Sequence, residues 1–445
     1  MKKIFYFIIM LSGIIFTGCD DELEVSNPLS LGTDDYITDD ESAQLALEGI
    51  YDKYQNTFYY GYPYMLTGLY ADEFSHSGSY TTFDEFEVNL VAADNTSMDG
   101  VWEDYYTTIF RANSVILTLE SLGDDVVSSS VKTSITAEAK AMRALLYFDL
   151  VRLFGGVPMP TELVTNSASS VNVARSSVDE VYTAILEDLN AADGNIDDSD
   201  IFHMSNNAVK VLKAKVYLTL GEYSNAQTAL EAVLDDYSLL SSYDDVFTTG
   251  TNTEAIFRIN YSSDDKNYLA FFFYPSGLGG RRESAPNQTS IDAFETGDVR
   301  KETLAEYSSL SSVYLNKYTD ISTGTDQPYV FRYADVLLLY AEAVARQSDY
   351  TTAGVYLNKV RNRAGLEDVT VTASNYISLI AQERRVELYG EGHRWYDGVR
   401  LGIINEMIAN KDQSSYNDNY ALWPIPQSEI DANESISSED QNPGY

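Results

Sequence analysis

Acids, arginines and a histidine crowd into the stretch Glu383 to Arg400, ERRVELYGEGHRWYDGVR. Glu383, Glu387, Glu391 and Asp397 alternate with Arg384, Arg385, Arg394 and Arg400, and His393 is one of three histidines in the chain. Carboxylates beside a histidine are the raw material of general acid–base chemistry. The helical period argues for a different role. Ile377, Ile380, Ala381, Arg384 and Leu388 fall on one face of a helix, so Arg384 points where the apolar residues point. A buried arginine needs a carboxylate partner. Glu387 and Glu391 are near in sequence, and Glu342 on another helix is an equal candidate. Arg394 can reach Glu391 or Asp397 at a spacing of three. Gly390, Gly392 and Gly398 interrupt the helix and let neighbours come close. The stretch therefore reads as an internal ion-pair lattice, with His393 as a hydrogen-bonded structural residue.

Other catalytic patterns are missing. Two carboxylates make a glycosidase, but among 68 Asp and Glu nothing selects a pair. His76, His203 and His393 are scattered, with no HExxH, and there is no GxSxG, P-loop or GxGxxG. No enzymatic activity, metal or cofactor is expected. A formal net charge of −39 excludes a nucleic-acid partner, whose phosphates it would repel. The single cysteine, Cys19, excludes disulfides and thiol-based metal sites.

Cys19 has a context of its own. Lys2 and Lys3 precede an apolar run from Ile4 to Phe16, which is too short to span a bilayer and suits a signal peptide. The run ends in Thr17-Gly18-Cys19, which resembles a bacterial lipobox. The resemblance implies cleavage of residues 1–18 and lipidation of Cys19. Asp20, Asp21 and Glu22 resemble the acidic signal that exports Bacteroidetes lipoproteins to the outer face of the outer membrane. Residues 19–40 then form an acidic tether. An anionic surface repels such a chain, so the lipid must anchor it.

The body, residues 41–445, reads as one mainly α domain. Amphipathic helices are predicted at about 42–54, 101–121, 134–154, 178–192, 207–235, 332–363 and 376–400. Ala214, Tyr217, Gly221, Tyr223, Ala226 and Leu230 match the register of a tetratricopeptide-like (TPR-like) helix pair, and Ala341, Tyr350, Ala353 and Leu357 repeat it. Such pairs need stacked neighbours. The helices at 42–54 with 101–121, and at 134–154 with 178–192, are the natural ones. Two long segments break the pattern. Residues 59–99 read as loop, and residues 239–327 mix loop with short β-like runs at Ala255 to Ile259 and Leu269 to Tyr274. The tail segment Leu422 to Pro426 is apolar and must pack against something.

Seven stretches, taken together and in order, resemble the SusD/RagB family of outer-membrane lipoproteins. They are the lipobox with its acids, WEDYYTTIFRAN, EAKAMRALLYFDLVRLFGGVP, FRYADVLLLYAEA, LNKVRNRAG, ERRVELYGEGHRWYDGVRLG and LWPIPQSEIDANESISSEDQNPGY. The resemblance implies a SusD-like α-superhelix of TPR-like pairs. It implies a lipid-anchored protein on the extracellular face of the outer membrane, seated on a SusC-like TonB-dependent transporter and capturing a glycan or oligosaccharide for import. A peptide ligand, as in RagB-like importers, and a TPR-type protein-interaction scaffold are the alternatives.

A sugar ring offers an apolar C–H face and a rim of hydroxyls, so a glycan site needs aromatic platforms with polar neighbours. The two insertions supply that mixture. Asp72, Glu73, Phe74 and Tyr80 are the candidate ligand residues in the first, and Tyr268, Tyr274, Arg281 and Arg282 in the second. Trp102, Trp395 and Trp423 lie in the shared stretches and are expected in the core.

Overall fold

A computed structural model of the chain describes residues 36–161, 172–196, 200–248, 250–307, 312–411 and 416–445. The expected signal peptide, Cys19 and nearly all of the tether lie outside the described residues.

Helix α1 (Asp40–Thr57) starts on a capping box, in which the Asp39 carboxylate accepts from the Ser42 N–H at 2.8 Å. Then follow α2 (Tyr62–Tyr70), strand β1 (Phe74–His76), α3 (Thr81–Glu87), α4 (Thr96–Ser121), α5 (Ser129–Phe154), α6 (Val178–Ala192), α7 (Asn206–Leu220) and α8 (Tyr223–Glu231). The second insertion holds β2 (Ala255–Arg258), α9 (Leu269–Phe273), β3 (Ser284–Pro286), α10 (Gln288–Asp292), β4 (Leu304–Tyr307) and β5 (Ser312–Leu315). Strand β6 (Tyr329–Arg332) leads into α11 (Tyr333–Arg346), α12 (Tyr350–Arg363), α13 (Tyr376–Glu387), α14 (Arg394–Leu401) and the short α15 (Ile404–Ala409).

The helices stack in series. α1 packs on α4, α5 on α6, α7 on α8 and α11 on α12. Contacts of α4 with α5, α6 with α7 and α8 with α11 join one pair to the next. This is a mainly α superhelix of TPR-like pairs. Gly221, at φ +76, caps α7 and makes the tight turn into α8. Ala137, Ala139, Ala141 and Ala144 are all buried on α5, and such small side chains let its neighbours approach on two sides. The tail also finds its place. The Trp423 N–H donates to the Leu153 carbonyl at 2.7 Å, and its ring lies within 6 Å of Phe86, Phe154 and Tyr70. Trp102, Trp395 and Trp423 are all buried.

Both insertions carry more helix than their sequences suggest. Residues 59–99 contain α2, α3 and the first turn of α4. Leu269 to Tyr274, expected as a strand, is the helix α9. All five residues of the run are apolar and four are buried, so its pattern cannot separate the two periods. The insertions are tied together through β1 and β3, which pair antiparallel with Ser75 opposite Ala285.

The charged stretch is two helices, not one. Gly390 and Gly392, at φ +74 and +77, reverse the chain between α13 and α14. A Cβ on Gly390 would sit 2.7 Å from the Leu315 side chain. Gly390→Ala should therefore lower unfolding free energy by about 1–3 kcal/mol through backbone strain alone. Urea denaturation with an unchanged midpoint would refute this.

The lattice has different partners from those expected. Arg384 pairs with Asp335 at 2.6 Å and Asp397 at 2.8 Å, while Glu342 pairs with Arg400 at 2.9 Å. Arg394 reaches neither Glu391 nor Asp397, because the glycine turn has taken it off the α13 axis. Its partner is Asp72, at 2.7 Å. Glu387 and Glu391 instead surround Arg332, with Arg300, Arg363 and Lys317 completing the network. His393 does not enter the lattice. It lines a small cavity of about 60 Å³ with Asp149, Arg152, Lys215 and Tyr396. Burial, and then the charge of Lys215, pushes its pKa down to about 3, so it is neutral.

Candidate functional site

Where the two insertions meet at the surface, their tyrosines form a continuous aromatic strip. It begins at a turn. Gly61, at φ +69, caps α2 and places Tyr59, Tyr60 and Tyr62 around it. A Cβ on Gly61 would lie 2.3 Å from the Leu269 side chain, so only glycine lets this turn press against α9. The Tyr268 N–H donates to the Tyr59 carbonyl at 2.8 Å, which fixes one insertion to the other.

The rings follow one another closely. Tyr59 and Tyr268 have centroids 5.1 Å apart, Tyr268 and Tyr60 6.1 Å, and Tyr60 and Tyr62 5.3 Å with planes inclined by only 29°. Buried Phe83 and Phe272 form the floor. Tyr62 lies 5.5 Å from Phe83, and Tyr80 continues the strip 5.5 Å from Phe83 and 6.1 Å from Phe272. Tyr60 is 43% exposed, and Tyr59, Tyr62, Tyr80, Tyr268 and Phe271 are half-buried. Each keeps some exposure while neighbouring rings pack against it. Burial first, and then the neighbouring Tyr80 and Tyr60, push the Tyr62 phenol up to about 12. It is a hydroxyl donor at any physiological pH.

A carboxylate cradle fixes the far end. Glu283 is fully buried. Its Oε2 accepts the N–H groups of Ser79 at 2.8 Å and Tyr80 at 3.1 Å, and the His76 ring nitrogen Nε2 lies at 3.2 Å. Its Oε1 takes the Arg281 Nε. Burial works to raise this carboxyl's pKa, but the bonds from Tyr80, His76, Ser79 and Arg281 outweigh it and hold the pKa below the usual value. Gly78 passes so near that a Cβ would sit 1.9 Å from Oε2. The Arg281 guanidinium carbon lies over the Tyr80 ring, 4.0 Å from its centroid. It also donates to the Tyr80 hydroxyl at 3.0 Å and to Ser79 Oγ at 2.8 Å. A guanidinium stacked in this way fixes the ring it covers.

Tyr80, Tyr268 and Arg281 therefore share one surface. The other candidates from the sequence do not. Asp72 and Glu73 are interior residues. Asp72 is held by Arg394, Arg385 and Asn410. Glu73 accepts from the Gly390 N–H at 3.2 Å, and burial raises its pKa to about 8. Phe74 packs on Phe273 and Tyr389. Tyr274 is buried against Tyr314, with its hydroxyl on Asn316. Arg282 turns toward β5, where it donates to the Val313 carbonyl at 3.3 Å. Conversely, sequence reasoning passed over Tyr59, Tyr60 and Tyr62. The available signal was the run Tyr59-Tyr60-Gly61-Tyr62, three aromatics around a residue that permits a left-handed turn. Among the described residues no group of three or more His, Cys, Asp or Glu is arranged to hold a metal ion. None of the described helices is long and apolar enough to cross a membrane.

Two family models match the chain. One, described as the SusD family, covers residues 304–445, and the other, described as starch-binding associating with outer membrane, covers residues 23–218. A SusD-like protein of Formosa agariphila is 27% identical over 94% of this chain and 95% of its own. Among solved structures, a SusD superfamily protein from Bacteroides vulgatus superposes with a TM-score of 0.84 at 22% identity, covering 92% of this chain and all of that one. A laminarin-binding SusD-like protein superposes with a TM-score of 0.79 at 28% identity, covering 91% of this chain and 99% of that one.

Proposed function

The chain belongs to the SusD/RagB family, and from that premise we propose that it is a surface lipoprotein that captures a glycan and passes it, uncleaved, to a SusC-like TonB-dependent transporter. One observation carries the ligand side of this proposal. Two segments some 200 residues apart in sequence converge to expose a strip of tyrosine faces rimmed by hydroxyls and a stacked arginine. Tyrosine faces suit the C–H side of a pyranose, and the phenols and Arg281 can bond its rim. Successive ring centroids along Tyr59, Tyr268, Tyr60 and Tyr62 lie 5.1, 6.1 and 5.3 Å apart. The likeness to a laminarin-binding protein agrees with this chemistry. Association with the outer membrane is the family's description, and lipidation at Cys19 would supply the anchor.

The ligand test is affinity electrophoresis of the protein over a polysaccharide panel. At least one polysaccharide should retard it, without release of reducing sugar. Tyr60→Ala combined with Tyr62→Ala should weaken that binding about tenfold or more, since each lost aromatic contact is worth roughly 1 kcal/mol. Retardation equal to that of the unaltered protein would remove the strip from consideration. The transporter test is capture from solubilised outer membranes. One large β-barrel protein should co-purify, and a spread of soluble partners would favour a TPR-type scaffold instead.

A further inference from the structure

The strip lies in a chain with 68 acidic and 29 basic residues, a formal charge of −39. That imbalance bears on which glycans can settle on it. A bound uronate or sulfate needs a cation free to meet it, because an unpaired anion pressed against apolar rings loses hydration without return. The cations near the strip are engaged or outnumbered. Arg281 has its Nε on Glu283, one N–H on the Tyr80 hydroxyl and one on Ser79 Oγ, and its guanidinium over the Tyr80 ring, so its charge is already met by a carboxylate. Arg282 is its immediate neighbour, but its guanidinium reaches the Val313 carbonyl on β5. Lys266 lies 5.8 Å from the Tyr268 ring centroid, but exposed Asp264 and Asp265 precede it in the chain. Asp265 is close enough to Tyr59 to disfavour loss of that phenol's proton, although burial and the contact with Tyr268 count for more there. At the opposite end Asp84, largely exposed, stands against His76.

Among the described residues the surface thus offers partly exposed phenolic rings with acids at both ends, Arg281 paired to Glu283 and Lys266 following two exposed acids. We propose that the strip takes an uncharged glycan, laid along Tyr268, Tyr60 and Tyr62 with the Arg281-covered Tyr80 at its end, and rejects uronic-acid and sulfated glycans. This rests on the glycan reading above and adds the chemical class. Recognition is then carried by stacking and neutral hydrogen bonds. Such contacts respond little to salt, whereas charge attraction between exposed groups is screened within about 10 Å at 0.1 M.

The experiment is isothermal titration calorimetry of the full-length chain in detergent. Laminarin, dextran and galactomannan are the neutral probes, and alginate, polygalacturonate and carrageenan the acidic ones. At least one neutral polymer should bind, with less than a twofold change in affinity between 50 and 500 mM NaCl, roughly the span over which a charged contact is largely screened. No acidic polymer should bind at either salt. Binding of an acidic polymer that weakens with salt would overturn the inference and leave the glycan reading intact. Neutral binding that survives Tyr60→Ala with Tyr62→Ala would also overturn it, because the ligand would then sit elsewhere. If the wider panel of the electrophoresis test also fails to bind, both fall together.

Discussion

Arg332→Met should cost about 3–5 kcal/mol of unfolding free energy, a large part of what a folded domain has. Arg332 is buried, with its Nε 2.7 Å from Glu391 Oε2 and its Nη1 2.5 Å from Glu387 Oε1. Its Nη2 also donates to the Glu387 carbonyl at 2.7 Å. Methionine fills much of the volume but leaves two buried carboxylates short of a cation. The surface pair Arg111–Asp52 is a fitting control. Its side chains are 40% and 60% exposed at 3.0 Å, so Arg111→Met should cost less than about 1 kcal/mol. Urea denaturation of both variants reads the difference directly. If the two lose equal stability, the interior lattice is not what holds β6 against the α13–α14 turn.

The protein should be most stable on the acidic side of neutrality. Burial raises Glu73 from 4.5 to about 8 and Glu138 from 4.5 to about 7. His203 is opposed by burial, but its contact with Glu48 and the nearby acids carry it from 6.5 to about 9. In each case the folded state holds its proton over a range where the unfolded chain has released it. The stability these groups add is complete below the unfolded value and is lost as pH rises through the folded one. For Glu73 the window runs from 4.5 to about 8, and a shift of that size corresponds to about 5 kcal/mol. Lys411, pushed down to about 7 by burial, works in the opposite direction between 7 and 10.5 and moderates the alkaline loss. On the acid side His393 is neutral down to about 3, so its contribution is lost as pH drops from 6.5 toward 3, which offsets part of the carboxyls' gain above 4.5 and leaves a net fall below it. The melting temperature should therefore peak near about pH 4.5 and fall by several degrees by about pH 9. Glu73→Gln keeps the site neutral at every pH and should remove much of that alkaline slope. Parallel slopes in the two proteins would show that Glu73 is not held protonated.

How much of this could be read beforehand depended on the range of the interaction involved. The α7–α8 pair was legible because Gly221 and a helical period are local signals. So was the burial of Trp102, Trp395 and Trp423, which lie within patterned stretches. The partner of Arg394 was not legible, because Asp72 lies 322 residues away and the two meet only after α13 and α14 fold back on each other. The same fact explains why Asp72 and Glu73 looked like ligand residues. A run of acids in an apparent loop resembles a wet surface until the arginine that buries it is known. The tyrosine strip was half legible. The aromatic richness of both insertions is plain, but which rings face outward is decided by Gly61, Gly78 and Glu283. Their roles are contacts between segments.

The link between Tyr59 and Tyr268 and the seat of Glu283 beneath Ser79 and Tyr80 bear on when the protein becomes competent. The chain leaves its site of synthesis with the first insertion leading. A chain with only its first half folded carries Tyr59, Tyr60, Tyr62 and Tyr80, yet it lacks the contacts from Tyr268, Phe272, Arg281 and Glu283 that complete the row. Closing contacts across some 200 residues is a late and slow event in folding. Ligand recognition should therefore appear together with the last tertiary contacts, and a partly folded or truncated chain should be silent toward sugar even where its helices are intact.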